Sequence, residues 1–237
     1  MQQINLGNIT VDVEQKDIKN IHLSVYPPKG HVRIAAPVRF DLETIRMFAI
    51  SKLGWIKRQQ EKLRNQPREA PREYKTRESH YFLGKRYLLQ VVKSEAKSAV
   101  FIKHDKLILQ IKPDATIAQK QTVLYEWYRE QLKILIPKYI KTWELEMNVK
   151  VLEFGVKRMK TKWGTCNREA GRIWINLELA KKPLECLEYI VVHEMVHLLE
   201  RGHNEKFVAY MNKFLPQWRH YKDELNRLPV SHVEWKY

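Results

Sequence analysis

The chain has 237 residues, of which 44% are hydrophobic, so it can bury a core in one large domain or two small ones. Its apolar stretches are far shorter than a membrane span, and its N-terminus lacks the basic start and apolar run of a signal peptide. Two cysteines, Cys166 and Cys186, are too few for a disulfide framework. We therefore expect a cytoplasmic protein that does not associate with membranes.

The charge is strongly basic and unevenly distributed. The chain carries 43 Lys and Arg against 27 Asp and Glu, a net charge of +16, and residues 1–112 alone carry 22 basic and 11 acidic side chains. Such an excess favours polyanions, so nucleic acid is a candidate partner of this basic surface. A basic protein without such a partner explains the charge equally well, and no known nucleic-acid motif is visible.

The N-terminal part is predicted to be an α+β module covering residues 1–64. Alternating apolar residues predict strands at 2–13, 21–25 and 32–36. Asp41 is a suitable N-cap for a helix that runs to about Leu63 with an apolar stripe on one face. Residues 65–78 are charged and contain two prolines, which predicts a linker.

Residues 79–237 are predicted to form the second domain, and we see no internal repeat anywhere in the chain. Strands are expected at 81–92, 99–103 and 107–111, a long helix at 114–147 that is broken or kinked before Pro137, and further strands at 149–159 and 172–179. The segment 160–167 between the last two strands is expected to be a loop. Pro183 suits the first turn of the next helix, and Asn204 can cap another that stops at Pro216.

Four residues of catalytic type lie close together in that C-terminal part: His193, Glu194, His197 and His203. Positions four apart on a helix lie about 40° apart around its axis, so His193 and His197 can direct two imidazoles at one metal ion. Glu194 can then take a proton from a metal-bound water. Gly202 is expected to end this helix, after which the chain returns His203. Three neutral imidazoles with an open fourth position are typical of a catalytic zinc site.

Two features of this site stay open in the sequence. Glu200 and Glu205 are alternative third ligands, although Glu200 can instead support His197 from the same helical face. Cobalt or manganese can replace zinc in such a donor set. Cys166 is favoured as a packing residue over a metal ligand, because three histidines are already present.

Several motifs together resemble the YgjP-like metallopeptidase family, which is similar to the SprT-like zinc metalloproteases. The resemblance covers nearly the whole chain and rests on Trp163-Gly164-Thr165-Cys166, Val191 to His197, Gly202 to Phe207, Ala36-Pro37-Val38 and Gly54-Trp55-Ile56. Family members usually have Ser at the position of Thr165, and Thr also carries a hydroxyl group. The resemblance implies a zincin-like metallopeptidase domain, with His193, His197 and His203 as zinc ligands and Glu194 as the general base.

The leading hypothesis is zinc-dependent hydrolysis of a peptide bond in a peptide or protein substrate. By position, the candidate donors to the developing oxyanion are Tyr189, Tyr210 and Arg158. The strand 172–179, which carries Trp174 and Asn176 on one face, can bind extended substrate by edge pairing, although a structural role for Trp174 is at least as plausible.

Two alternatives to a plain peptidase remain. A basic run that leads into the 160–167 loop can hold phosphates, so the enzyme can be a metal-dependent nucleoside-triphosphate pyrophosphatase, although a solvated strand end explains the run more simply. Its members are Lys157, Arg158, Lys160 and Lys162. The basic N-terminal half can instead bind DNA, so that the metal domain acts on proteins bound to nucleic acid.

Overall fold

The structure is a computed structural model that describes residues 2–26, 30–65, 69–159 and 161–229. Within these ranges, the residues up to 65 form one compact unit and residues 69–229 form a second. Both units combine helices with strands, which confirms the predicted α+β class. No helix among the described residues is long and apolar enough to cross a membrane.

The first unit is a four-stranded sheet with two helices packed on one face. Its strands are β1 (Gln2–Leu6), β2 (Ile9–Lys16), β3 (His22–Tyr26) and β4 (His31–Pro37), in the order β1-β2-β4-β3. The single strand predicted at 2–13 is wrong, because Gly7 adopts a positive φ of 66° and turns the chain between β1 and β2. The sequence also predicts a hairpin turn at 27–30 between the second and third predicted strands; residues 27–29 lie outside the described residues, and Gly30 has a positive φ of 77°.

The helical part of this unit is divided in two. Asp41 caps α1 (Leu42–Ser51) as predicted, its side chain accepting a hydrogen bond from the Thr44 amide at 2.7 Å. The expected continuation to Leu63 is interrupted because the Lys52 backbone leaves the helical conformation, and α2 (Leu53–Asn65) follows. Apolar side chains of α1 and α2 pack on those of β2 and β4 and form the core of the unit.

Residues 69–78, predicted to be part of a linker, pack instead on the second unit. Tyr74 is 2% exposed within the core of that unit, and the Arg77 amide donates to the Leu89 carbonyl at 2.8 Å. Glu69 forms an ion pair with Lys181 at 3.6 Å. Charged residues of this segment, whose composition predicted a linker, therefore form ion pairs on the second unit.

The second unit begins with another four-stranded sheet. Its strands are β5 (Ser79–Phe82), β6 (Lys85–Lys93), β7 (Ala99–Lys103) and β8 (Lys106–Ile111), in the order β5-β6-β8-β7. Outer pairs are antiparallel and the central pair is parallel, as in the first sheet. The two sheets therefore repeat one topology, although the sequence shows no repeat.

The long helix α3 (Ile117–Met147) covers this sheet and runs without interruption through Pro137. Of the two predicted alternatives, a break or a kink before Pro137, the break is therefore wrong. Proline removes one backbone hydrogen bond, to the carbonyl four residues earlier. Both Pro137 and Lys133 lie on the exposed face, where water can satisfy that carbonyl. Leu132, Ile136 and Ile140 meanwhile anchor the opposite face in the core on both sides of the proline.

A small three-stranded sheet follows, with β9 (Glu153–Lys157), β10 (Gly164–Asn167) and β11 (Arg172–Asn176) in the order β10-β11-β9. The predicted 160–167 loop thus becomes a strand in its second half. The predicted strand 172–179 ends at Asn176 and continues as a 3-10 helix, Leu177–Lys181. Because β11 is the central strand, the expectation that it offers a free edge to substrate is wrong.

Three helices complete the unit: α4 (Leu184–Val196), α5 (Glu205–Phe214) and α6 (Trp218–Arg227). Helix α4 is buried on nearly all sides and packs against α3, α5, α6 and β10. Asn204 caps α5 as predicted, with its side chain accepting from the Phe207 amide at 3.1 Å. Helix α6 was not predicted.

Candidate metal centre

The last turn of α4 carries His193 and Glu194, and His197 follows directly as the C-cap residue. The helix therefore ends before the predicted stop at Gly202. After the helix ends, the chain continues in tight turns. The Leu198 amide donates a hydrogen bond to the Met195 carbonyl and the Leu199 amide to the Val196 carbonyl, each at 2.9 Å. This early end lets the chain turn back, which places His203 opposite the helix.

The structure brings the three histidines together. One nitrogen from each imidazole of His193, His197 and His203 lies within 4.8 Å of the corresponding nitrogens of the others. The Nε2 atoms of His193 and His203 are 3.0 Å apart. Two ligands at tetrahedral positions on zinc, each about 2.0–2.1 Å from the ion, lie about 3.3 Å from one another, so the spacing suits a metal of this size.

Phe207 forms the floor beneath these imidazoles. Its ring centroid lies 4.9 Å from that of His193, 4.8 Å from that of His197 and 4.7 Å from that of His203. Phe207 is 2% exposed and sits in the first turn of α5, which the Asn204 cap holds in place. The aromatic floor keeps water away from the ring faces and limits their rotation.

A backbone contact selects the tautomer of His197. Its Nδ1 lies 3.1 Å from the carbonyl oxygen of Glu200, which can only accept, so Nδ1 carries the proton and Nε2 keeps a lone pair. Glu200 thus acts through its backbone, and its carboxylate accepts from the Gly202 amide at 3.4 Å. Within the described residues, the metal-type cluster holds three histidines and includes neither Glu200 nor Glu205.

Electrostatics favour uncharged imidazoles. Burial lowers the pKa of His193 to about 3, with smaller contributions from His197 and His203. Burial also lowers the pKa of His203. A metal ligand must offer a lone pair, so histidines that stay neutral at physiological pH are already in the form that binds a cation.

Glu194 lies beside this cluster as a buried carboxyl group. It is 5% exposed, and burial raises its pKa to about 8. Gly164 of β10 packs directly against it: a Cβ atom at Gly164 would lie 2.5 Å from Oε1 of Glu194. Such a distance is not tolerated, so the absence of a side chain at residue 164 leaves room for the carboxylate.

Replacing Gly164 by Ala should therefore displace Glu194 and lower kcat by about 10²-fold, the effect of a misplacement of about 1 Å at a reacting group. Metal content should stay unchanged, because the three atoms nearest to a Cβ at residue 164 all belong to Glu194 and none to the imidazoles. The matched control is Gly202→Ala, where a Cβ would meet nothing within 4 Å. An unchanged kcat in Gly164→Ala would show that Glu194 does not depend on this contact.

The cluster opens into a cleft of about 560 Å³ between β10, α4 and α6. Its lining includes three cations, Lys162, Arg201 and Lys222. Sequence reasoning missed Arg201 and Lys222 as site residues; the spacing of Trp218, Tyr221 and Leu225 is the helical signal that could have located α6 and with it Lys222.

Of the three candidate oxyanion donors, only Tyr189 lines the cleft. Burial, followed by the nearby Glu194, raises the pKa of Tyr189 to about 12, so the phenol keeps its proton. Tyr210 instead stacks on Phe214 with a centroid distance of 6.0 Å. Arg158 forms an ion pair with Glu178 at 3.7 Å, and neither Tyr210 nor Arg158 lines the cleft.

The remaining sequence candidates have structural roles. Lys157 lies over the ring of Trp174 at 4.7 Å, away from the cleft, and Lys160 lies outside the described residues. The Asn176 side chain is buried and donates to the carbonyls of Met159 at 3.0 Å and Lys162 at 2.7 Å, so it holds the chain that leads into β10.

Cys166 of β10 lines the cleft, but its thiol is not arranged as a ligand. Burial raises its pKa to about 11, and the nearby Glu194 adds to the shift. Only the thiolate binds metals well, so the protonated form matches the predicted packing role.

Comparison with known proteins agrees with this chemistry. Residues 19–228 match the family model described as YgjP-like, metallopeptidase domain, so the chain belongs to this family and is a hydrolytic metallopeptidase. Membership of the family implies a divalent metal ion. No curated protein matches the chain.

Two solved structures of metallopeptidase zymogens are similar to part of the chain. Abylysin of Pyrococcus abyssi has 17% identity and a TM-score of 0.36, over 40% of this chain and 99% of its own. Jannalysin of Methanocaldococcus jannaschii has 18% identity and a TM-score of 0.35, over 38% of this chain and 92% of its own.

Proposed function

We propose that the protein is a zinc metallopeptidase of the zincin-like type, in which His193, His197 and His203 hold the metal and Glu194 is the general base. The observation that carries this proposal is the convergence of three imidazoles, whose nitrogens lie within 4.8 Å of one another, beside one buried carboxyl group. Nitrogen donors of this kind suit zinc, whereas magnesium and calcium prefer oxygen. When bound, zinc lowers the pKa of water toward about 7 and polarises a carbonyl group.

Glu194 has the environment that proton transfer requires. A general base works best when its pKa lies near the operating pH, and burial brings that of Glu194 close to neutrality. The positive charge of a metal ion nearby would lower this pKa again and so favour the carboxylate. Glu194 accepts the proton of the attacking water and returns it to the leaving amine.

Two side chains of the cleft can stabilise the oxyanion. Tyr189 retains its phenolic proton, and Lys222 reaches the cleft from α6. Tyr189 is held by ring stacking on Trp218 at 6.4 Å and by an edge contact with His193 at 5.9 Å. A donor fixed in this way needs little reorganisation as charge develops.

The strand β10 offers a place for an extended peptide. It pairs with β11 on one side only, and its residues Gly164 to Cys166 line the cleft. A peptide added to this edge would gain main-chain hydrogen bonds while its scissile bond lies near Glu194.

A second candidate is hydrolysis of a nucleotide anhydride at the same centre. It is favoured by the three cations in the cleft, Lys162, Arg201 and Lys222, which can hold phosphate oxygens. Of the predicted basic run, Lys162 lines the cleft, whereas Lys157 lies over Trp174 and Arg158 pairs with Glu178.

The experiment measures hydrolysis of a peptide bond and of a nucleotide anhydride by the same protein preparation. The full chain, loaded with one equivalent of zinc, is incubated with an unfolded protein and separately with nucleoside triphosphates. We expect new peptide termini by mass spectrometry, loss of cleavage with a chelator, and its return with zinc. Release of pyrophosphate without peptide cleavage would reject the peptidase and support the second candidate.

A further inference from the structure

The two four-stranded sheets share one topology but present different surfaces. In each sheet one face packs on helices, and alternate residues point to the opposite, outer face. In the second sheet, Leu89, Leu107 and Leu109 face the core with α3. We define the outer face of β5–β8 by the intervening residues Leu88, Gln90, Val92, Phe101, Lys103, Lys106 and Ile108.

The strand registers show which residue of β1–β4 occupies the position of each residue of β5–β8. Val13 pairs with Ile34 and Ile34 with Leu23, in the same arrangement as Leu89 with Leu107 and Leu107 with Ile102. The positions equivalent to the outer face of β5–β8 are therefore, in the same order, Asp12, Glu14, Lys16, His22, Ser24, Arg33 and Ala35.

In the first sheet these positions form an ordinary solvated surface. Glu14 forms ion pairs with Arg33 and with Lys16, the latter at 3.1 Å, and Asp12 pairs with His31 at 2.8 Å. Residues 2–37 carry four basic and three acidic side chains, a net of +1. This surface is already satisfied by its own charges.

The outer face of β5–β8 has apolar side chains at its centre and lysines at one end. Phe101, Ile108 and Gln90 stand in one row across three strands, and Phe101 is 45% exposed. They border a shallow depression of about 670 Å³. Residues 79–112 carry seven basic and two acidic side chains, a net of +5.

The next row of this face places two cations side by side. Lys103 and Lys106 are directly opposed across β7 and β8. Among the described residues neither forms an ion pair. Like charges at opposed positions destabilise a strand pair, so a bound anion would stabilise this end of the face. Asp105, in the turn between the two lysines, also lines the depression but forms no ion pair with either in the described part of the chain.

We propose that the outer face of β5–β8 binds single-stranded nucleic acid. One base stacks on the exposed ring of Phe101 at the depression that Val92 also lines, and the flanking phosphates contact Lys103 and Lys106. Stacking on an exposed aromatic residue combined with cations along the backbone is the general mode of single-strand binding on sheets. An acidic peptide would match the charge but gives no reason for the exposed ring. The depression is also too small for a membrane surface, which would require several apolar anchors.

The test uses the full zinc-loaded chain and fluorescein-labelled 12-mers of deoxythymidine and of uridine, which distinguish DNA from RNA. Phe101→Ala should weaken binding by about 10-fold, the effect of losing one stacked base, whereas Phe101→Trp should retain it. Lys103→Ala/Lys106→Ala should weaken binding and reduce the slope of log affinity against log salt by about 1.4.

Matched controls use the same changes elsewhere. Leu145→Ala removes a side chain that is 80% exposed on α3, and Lys52→Ala/Lys57→Ala removes two exposed cations of the first unit. Both should bind like the wild type, as should Glu194→Gln, since the proposed surface does not include the metal centre. Folding of every variant is checked by its thermal unfolding temperature.

Three results would overturn the proposal. Equal loss of affinity in Lys52→Ala/Lys57→Ala would mean that binding follows net charge alone. Unchanged affinity in Phe101→Ala, with heparin competing as well as the oligonucleotides, would remove the base from the interaction. Tighter binding of a polyglutamate peptide, lost in the same variants, would assign the surface to an acidic protein.

Discussion

Glu194→Gln should lower kcat for peptide cleavage by about 10²–10⁴-fold, the usual contribution of a general base. The amide has nearly the same shape as the carboxyl group, so it fits the space next to Gly164, but it cannot accept a proton from water. Zinc content should remain at about one ion per chain, as a single three-histidine site requires. Initial rates and elemental analysis of the same preparation provide both measurements.

Glu200→Gln is the matched control for this variant. Its carboxylate lies outside the histidine cluster and accepts one weak hydrogen bond, from Gly202 at 3.4 Å. It should retain close to wild-type kcat. Full activity in Glu194→Gln would assign the proton transfer to another group and reject the proposed mechanism.

His193→Ala/His197→Ala should abolish metal binding, because one remaining imidazole, on the exposed His203, cannot hold a divalent ion on its own. In the wild type, zinc at about 1,000 times its dissociation constant should stabilise the fold by about 4 kcal/mol. For a protein of this size, that corresponds to a rise of about 10 °C in Tm. The double variant should show no rise.

Calorimetric scans with and without zinc measure this shift, together with the zinc content by elemental analysis. The control is His22→Ala/His220→Ala, which removes two exposed histidines far from the cluster in sequence. It should keep both the metal and the rise in Tm. An unchanged zinc content in His193→Ala/His197→Ala would show that the metal binds elsewhere, and the proposed centre would be wrong.

Local signals predicted many elements of the fold correctly. The caps Asp41 and Asn204 act within three residues of their own position, so the sequence alone identifies them. The antiparallel pair β7 and β8 likewise follows the two predicted strands 99–103 and 107–111 closely. Two of the predictions that failed, at Pro137 and Gly202, treated a residue's intrinsic preference as decisive.

At both failed positions the surrounding structure overrides that preference. Helix α3 continues through Pro137 because its opposite face is anchored in the core and the lost bond faces solvent. Gly202 does not cap α4, because the chain already leaves the helix at His197 to return His203 to the site. Several buried side chains, each contributing about 1.5–3 kcal/mol, together exceed the roughly 1–3 kcal/mol by which a glycine or a proline disfavours a helix.

What the sequence determined by itself is the chemistry of the centre. The spacing of His193, Glu194 and His197 is read along one helix, where geometry depends only on residue number, and the family motifs extend this reading to His203. Only the tertiary structure decided what surrounds that centre: the contact of Gly164 with Glu194, the arrival of Lys222 from α6, and the edge position of β10. It also decided that the two sheets share one topology, although the outer face of the first carries ion pairs and that of the second carries an exposed ring and two lysines without an ion pair. These relations join residues far apart in the chain, and they follow from packing and strand order, which local sequence patterns do not encode.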